Sequence, residues 1–327
     1  MKCRPNNLNF KITNSSGPNG NNTSTQSIVS KSKKPRDKWM ELQGIKNWEG
    51  LLDPLDDGLR DEILRYGEFV EAAYRCFDFD TSSPDYATCR YPKGSMLSQS
   101  GHPLGPVGSA TWRYATTGRD REAGRRDVVI AYRGTATCME WVENLRVALT
   151  TLSGDMAQSD RESMVQSGFL SLYTSAVGPR PSLQDSIRDE MQKILTKYGD
   201  EPLSITVTGH SLGAALATLT AHDINTTFKH APLVTVVSFG GPRIGNKSFR
   251  SQLEKSGTKV LRIVNSDDPI TKVPGFVLNE SSTKMSEIRP LKWVQKCVEE
   301  TQWVYAEIGK ELRLSSKDCP HLSNIGE

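Results

Sequence analysis

The sequence predicts an α/β fold with a mostly parallel central sheet flanked by helices. Four runs rich in Val and Ile, each closed by a turn signal, predict strands buried on both faces, at residues 127–135, 203–209, 233–241 and 259–269. Helical patterns lie between these runs, and alternation of strand and helix is typical of a parallel sheet. A length of 327 residues is sufficient for one large domain with a substantial core.

The first 36 residues have the composition of a leader segment. They contain seven Lys or Arg, no acidic residue and many Ser, Thr and Asn, and they lack the apolar core of a secretory signal. This composition predicts a disordered organelle transit peptide over residues 1–36. A disordered basic tail without a targeting role is the alternative.

A folded domain is expected over residues 37–327. The composition of the chain changes at Trp39. Apolar residues then recur at helical spacing, at Leu59, Ile63, Leu64, Phe69, Val70 and Ala73. Residues 81–124 are rich in Gly, Pro, Ser and Thr, which predicts irregular connections and one hairpin. Further helices are expected at 182–199 and directly after Ser211.

Charge and composition restrict the partners of the chain. Without the seven basic residues of the leader, 34 basic residues stand against 38 acidic ones, and this balance argues against nucleic acid as a partner. No run of 18 apolar residues occurs, so no transmembrane segment is expected and membrane contact would be peripheral. The six cysteines form no close pairs, and no phosphate-cradling glycine loop is found, so no metal site and no cofactor are expected.

The motif GHSLG joins the second predicted strand to a helix. A serine in such a sharp strand-to-helix turn projects from its tip, where it can act as a nucleophile. Gly209 and Gly213 suit the turn because strand and helix approach each other too closely for a Cβ. Ser211 is therefore the candidate nucleophile, and the amide of Leu212 at the positive helix end is a candidate oxyanion donor. A serine that merely caps a helix is the alternative.

A second oxyanion donor is expected from another strand end, where YRGT closes the first predicted strand. Thr135 offers both an amide and a hydroxyl there, although RGT alone is an ordinary strand exit. The next segment, residues 136–149, is helical in pattern and mostly apolar. It predicts either a core helix or a movable lid that turns an apolar face to lipid. The candidate lid residues are Met139, Trp141, Val142 and Leu145.

The fourth predicted strand leads into NSDDPITKVPG, where Asp267 and Asp268 are suited to orient an imidazole. Serine, then acid, then histidine is the chain order of α/β serine hydrolases, and these aspartates fit it. An ordinary turn before proline is the alternative reading.

Four motifs in this order, GHSLG, YRGT, FGGPRIGN and NSDDPITKVPG, make the chain resemble the class 3 lipases and, more narrowly, the plant plastid phospholipases A1 of the anther-dehiscence type. The resemblance implies an α/β-hydrolase-type fold with a helical lid. It implies Ser211 as nucleophile, Asp268 as the acid, and Thr135 with Leu212 as the oxyanion hole. It further implies plastid targeting and hydrolysis of the sn-1 ester of phospholipids and, in several members, galactolipids, which feeds jasmonate synthesis.

The catalytic base is the open question. His102, His210, His222 and His230 precede the acid, so they are expected to be structural or surface groups. His321 follows the acid and would serve only if the last residues folded back over the sheet. In similar plant lipases the base lies in a histidine-bearing segment farther on, so the usual base is expected to be absent here, through truncation of the sequence or an early-ending variant.

The sequence therefore predicts a serine acyl hydrolase of the phospholipase A1 or triacylglycerol-lipase kind. It would act peripherally on chloroplast membrane glycerolipids through an acyl-enzyme on Ser211. The alternative is a lipase-like module that binds lipid or protein without turnover, because the usual base is missing. A peptidase or small-ester esterase is a third possibility, against which the apolar lid pattern argues.

Overall fold

The computed structural model describes residues 35–80, 82–86, 88–91, 112–116, 125–134, 148–157, 162–176, 178–265 and 305–315. The strands are β1 (Trp112–Thr116), β2 (Arg126–Tyr132), β3 (Leu149–Thr151), β4 (Met164–Gln166), β5 (Leu203–His210), β6 (Leu233–Phe239), β7 (Lys259–Asn265) and β8 (Lys310–Leu314). The helices are α1 (Pro35–Leu42), α2 (Asp57–Arg75), α3 (Ser167–Thr174), α4 (Leu183–Tyr198), α5 (Leu212–Thr227) and α6 (Lys247–Lys255).

Within the described residues, six strands form the central sheet in the spatial order β1-β2-β5-β6-β7-β8. Only the β1–β2 pair is antiparallel; the other neighbours run parallel. Tyr132 is level with Gly209, and His210 is level with Phe239. The carboxyl ends of the parallel strands therefore meet at one edge of the sheet, here called the C-terminal edge.

Helices cover both faces of the sheet. Alternate residues of β2 enter different cores: Val128 and Ile130 pack with α5, whereas Val129 and Ala131 pack with α2. Helix α5 is buried almost all round, which fits its run of Ala, Leu and Thr. The α/β-hydrolase-type architecture expected from the sequence is confirmed in these residues. No helix of the described ranges is long and apolar enough to cross a membrane.

The four predicted strands are present. The one hairpin predicted within 81–124 stays a prediction, because β1 pairs with β2 outside that region and residues 92–111 and 117–124 lie outside the described residues. The structure also corrects one boundary and adds several elements. The apolar segment 136–149 was expected to be one helix, yet Leu149 begins β3 and pairs with Gln166 of β4. The β-branched Thr150 and Thr151 favour an extended strand at this point. The rest of that segment, through residue 147, lies outside the described residues. The additions are α1, β3, β4, β8, α3 and α6.

A buried polar network closes the opposite edge of the sheet. Asp127, which is 2% exposed, accepts hydrogen bonds from Arg65 (2.6 Å), Tyr66 (2.9 Å), Ser204 (2.9 Å) and Thr206 (3.1 Å). Burial would raise the pKa of Asp127, but the guanidinium groups of Arg65 and Arg125 outweigh it and hold the pKa below its usual value. The network thus ties α2 to the starts of β2 and β5.

Candidate active site

Ser211 is the one residue between the end of β5 and the start of α5. Its backbone has φ 53° and ψ −120°, a positive-φ conformation that non-glycine residues rarely adopt. Two hydrogen bonds hold this turn: the Ser211 amide donates to Phe239 O (3.0 Å), and the Ala214 amide donates to Ser211 O (3.0 Å). The serine is therefore held at the C-terminal edge of the sheet, and only 6% of it is exposed.

The two glycines of the motif lie where the backbone is most crowded. A Cβ on Gly213 would lie 2.6 Å from Arg133 O and 2.8 Å from Tyr132 O. A Cβ on Gly209 would overlap the Gly213 backbone and lie 2.8 Å from the Ala214 nitrogen. The first turn of α5 consequently packs directly against the ends of both β2 and β5.

Leu212 is the first residue of α5, so its amide belongs to the positive end of a 16-residue helix. The end of β2 lies alongside: a Cβ on Gly134 would be 2.9 Å from His210 O. Thr135 follows Gly134 in the chain. The backbone at Gly134 and the backbone at His210 are thus in contact.

Strand β7 ends at Asn265, also at the C-terminal edge. Near its end, the Gly240 amide donates to Ile263 O (2.9 Å). Asp267 and Asp268 follow two and three residues later in the sequence. The proposed acid, the second donor, the lid residues and two histidines lie outside the described residues: Asp267, Asp268, Thr135, Met139, Trp141, Val142, Leu145, His102 and His321.

Each of the three described histidines has a distinct environment. His222 is fully buried in α5, its Nε2 bonds Met156 O (2.8 Å), and burial lowers its pKa. His230 is exposed beyond the end of α5. His210, next to Ser211, forms a 2.9 Å hydrogen bond through Nδ1 with the Tyr74 hydroxyl.

Two residues beside this edge were not found by sequence reasoning. The Tyr74 hydroxyl forms a hydrogen bond with His210 and lies where a Cβ on Gly134 would be placed. Arg133 donates through Nη1 to Gly134 O (2.7 Å), and its guanidinium lies 3.4 Å from the centre of the Phe77 ring. No local motif marks Tyr74, because its partner His210 lies on a different element, whereas Arg133 lies within the YRGT motif but was given no role there.

A strained serine turn between a parallel strand and a helix, at the C-terminal edge of a mostly parallel sheet, defines the α/β-hydrolase class. Among solved structures, the native propeptide complex of the Rhizomucor miehei lipase matches with a TM-score of 0.51 and 17% identity, over 79% of this chain and 69% of that one. At this identity the likeness concerns the fold alone.

Comparison of sequences identifies the family. Residues 129–278 match the lipase (class 3) family. The chain is 56% identical over 327 residues to phospholipase A(1) DAD1, chloroplastic, of Arabidopsis thaliana, covering 88% of this chain and 72% of that protein. It is 36% identical over 323 residues to galactolipase DONGLE, chloroplastic, of the same plant, covering 88% and 67%.

The chain belongs to the class 3 lipase family and is a carboxylic ester hydrolase. The chloroplast location in the names of both relatives confirms the expected plastid localisation.

Proposed function

We propose that this chain hydrolyses the sn-1 acyl ester of plastid glycerolipids, both phospholipids and galactolipids, through an acyl-enzyme on Ser211. The strained turn at Ser211 is the single observation that carries the proposal, since it holds a serine against the positive end of α5 at the C-terminal edge. The names of the relatives, a phospholipase A(1) and a galactolipase, support the two lipid classes.

In the proposed reaction, the Ser211 hydroxyl attacks the ester carbonyl and loses its proton to a histidine that Asp268 orients. The amides of Leu212 and Thr135 stabilise the oxyanion, and each such donor is worth about 3 to 4 kcal/mol of barrier. The lysolipid then leaves with the proton, and water hydrolyses the acyl-enzyme to release the fatty acid. His321 is the one histidine that follows Asp268 in this sequence, so its replacement tests whether the chain supplies its own base.

We further infer that the reaction takes place at a peripheral lipid surface. Support comes from the apolar spacing of Met139, Trp141, Val142 and Leu145, which suits a lid that exposes its apolar side on contact with lipid. An enzyme that works in this way accelerates when its substrate passes from monomers to aggregates.

The substrate proposal is tested with vesicles of phosphatidylcholine that carry different acyl chains at sn-1 and sn-2, and with monogalactosyldiacylglycerol in a parallel assay. We expect release of the sn-1 fatty acid from both lipids. Ser211→Ala should reduce release to background, since loss of the nucleophile from an intact triad costs about six orders of magnitude. Ser251→Ala, a half-buried serine of α6, is the matched control and should retain full activity.

Three outcomes would count against parts of the proposal. Release of the sn-2 chain would overturn the sn-1 assignment. Equal release by the wild type and Ser211→Ala would overturn the nucleophile. Vesicle binding without release, unchanged in Ser211→Ala, would instead support a lipase-like module that does not turn over.

A further inference from the structure

Tyr74 contacts both strand exits that lead into the proposed oxyanion hole. It lies in the last turns of α2, half-buried, and its hydroxyl bonds His210 Nδ1 at 2.9 Å. The same hydroxyl occupies the space that a Cβ on Gly134 would need, and His210 O lies 2.9 Å from that point. Tyr74, Gly134 and His210 thus form a three-way contact, here called the Gly134 contact.

The position of this contact in the chain connects it with the reaction. Gly134 directly precedes Thr135, and His210 directly precedes Ser211 and its neighbour Leu212. The two proposed donor amides belong to separate elements, so their spacing depends on how these two strand exits are held together. An error of about 1 Å in such spacing can cost about 100-fold in rate.

Gly134 is also held from its other side. Arg133 Nη1 donates to Gly134 O at 2.7 Å while its guanidinium stacks on Phe77 just beyond α2. The strand exit is therefore fixed by side chains from the end of α2 and by its own arginine. Helix α2 is a suitable anchor because its Tyr66, Phe69 and Ala73 are buried in the core.

We propose that Tyr74 is a positioning residue for the ester hydrolysis: its hydroxyl, bonded to His210 and packed against Gly134, holds the exit of β2 beside the turn that carries the Leu212 amide. Tyr74 acts through the backbone and does not itself touch the substrate. This inference rests on the proposed function, because the two amides matter only if they receive the oxyanion.

Steady-state kinetics on a soluble monomeric ester, p-nitrophenyl butyrate, provide the first test, since this substrate needs no lipid surface. We expect Tyr74→Phe to lower kcat about 10- to 100-fold with KM within about twofold, because the lost contact matters in the transition state alone. His210→Ala should have the same effect, and the double variant should be no worse than either single variant.

His210→Asn is the conservative variant, because a side-chain amide can either accept from or donate to the Tyr74 hydroxyl and so can replace the bond to Nδ1 in either tautomer. In a chain that retains Tyr74, His210→Asn should have a kcat close to that of the wild type and well above that of His210→Ala. This advantage over His210→Ala should disappear when Tyr74→Phe is added. Tyr86→Phe, which alters an exposed tyrosine, is the matched control and should behave as wild type. A Tyr74→Phe enzyme within twofold of the wild-type kcat, or with a raised KM instead, would overturn the proposal.

Hydrogen exchange gives a second measurement that does not depend on turnover. Tyr74→Phe should speed amide exchange in peptides that contain Gly134 and in those that contain Leu212, while the melting temperature stays unchanged. If the wild type lacks esterase activity, the proposed function fails, and the positioning role is judged by exchange. Unchanged exchange at both sites in Tyr74→Phe would then reject it.

Discussion

At the scale of single residues, the close approach of backbones explains the turn at Ser211. A positive φ at a serine is unfavourable, and it persists because Gly209 and Gly213 allow β5, α5 and the end of β2 to pack without an intervening Cβ. The sequence was sufficient to find this motif, because its glycines and its strand-to-helix context are local. Tyr74 could not be found in this way, since its partner His210 is 136 positions away.

Gly213→Ala should therefore disturb the turn. The added methyl would meet Arg133 O and Tyr132 O at 2.6 and 2.8 Å, and backbone atoms cannot swing aside. We expect a loss of about 1 to 3 kcal/mol in the free energy of unfolding, measured by urea denaturation, together with loss of Ser211 labelling by a fluorophosphonate.

Gly67→Ala in α2 is the control for this substitution. Its nearest neighbour, Phe239, would be 3.7 Å from the new methyl, which is ordinary contact. In a helix interior, alanine should stabilise the protein by about 0.5 to 1 kcal/mol relative to glycine. Equal effects of the two substitutions would contradict the crowding at Gly213.

At the scale of elements, a buried aspartate of α5 links this helix to its two neighbours α3 and α4. Asp223 is fully buried and accepts from Arg188 of α4 (2.6 Å) and from Tyr173 of α3 (3.0 Å). These bonds join three helices on one face of the sheet. Sequence periodicity predicted α4 and α5 but could not show that they share an ion pair, because that depends on tertiary packing.

Asp223→Ala should leave the Arg188 guanidinium without its buried partner. We expect a loss of about 3 kcal/mol in the free energy of unfolding, from chemical denaturation at neutral pH. Asp155 provides the matched control: it pairs with the same arginine at 3.4 Å but is 69% exposed. Asp155→Ala should cost under about 1 kcal/mol, and an equal cost for both would disprove the dependence on burial.

The strand β8 marks the limit of sequence reasoning at this scale. It is an outer strand of the sheet, and its sequence, KELRL, alternates polar and apolar residues over only a few positions. Its partner β7 ends 45 residues earlier, so nothing local decides the pairing. The cross-strand pair Arg262 and Glu311, 3.2 Å apart, becomes apparent only in the folded sheet.

At the scale of the whole molecule, the proposed catalytic edge and the main buried ionic network lie at opposite edges of one sheet. Ser211 follows the end of β5, whereas Asp127 and Ser204 lie at the starts of β2 and β5. The repeated strand–helix alternation was enough to predict this fold class. The network was not predictable, because it joins residues far apart in the chain: Tyr66 and Thr206, for example, bond across 140 positions.

This network should give the molecule an acid-sensitive stability. The folded-state pKa of Asp127 is lowered, so its contribution is fully present above the unfolded pKa of about 4 and is lost as pH falls through the folded value. Urea denaturation at several pH values should show Asp127→Asn less stable than wild type at pH 7 and the difference narrowing below about pH 4. A difference that stays constant with pH would contradict this role.

We propose that the strained turn presents Ser211 as the nucleophile of an ester hydrolase. Intact and peptide mass spectrometry after treatment with a fluorophosphonate test it most directly. We expect a single adduct, on Ser211, that is absent from Ser211→Ala. An adduct on another residue, or no adduct on the wild-type chain, would contradict it.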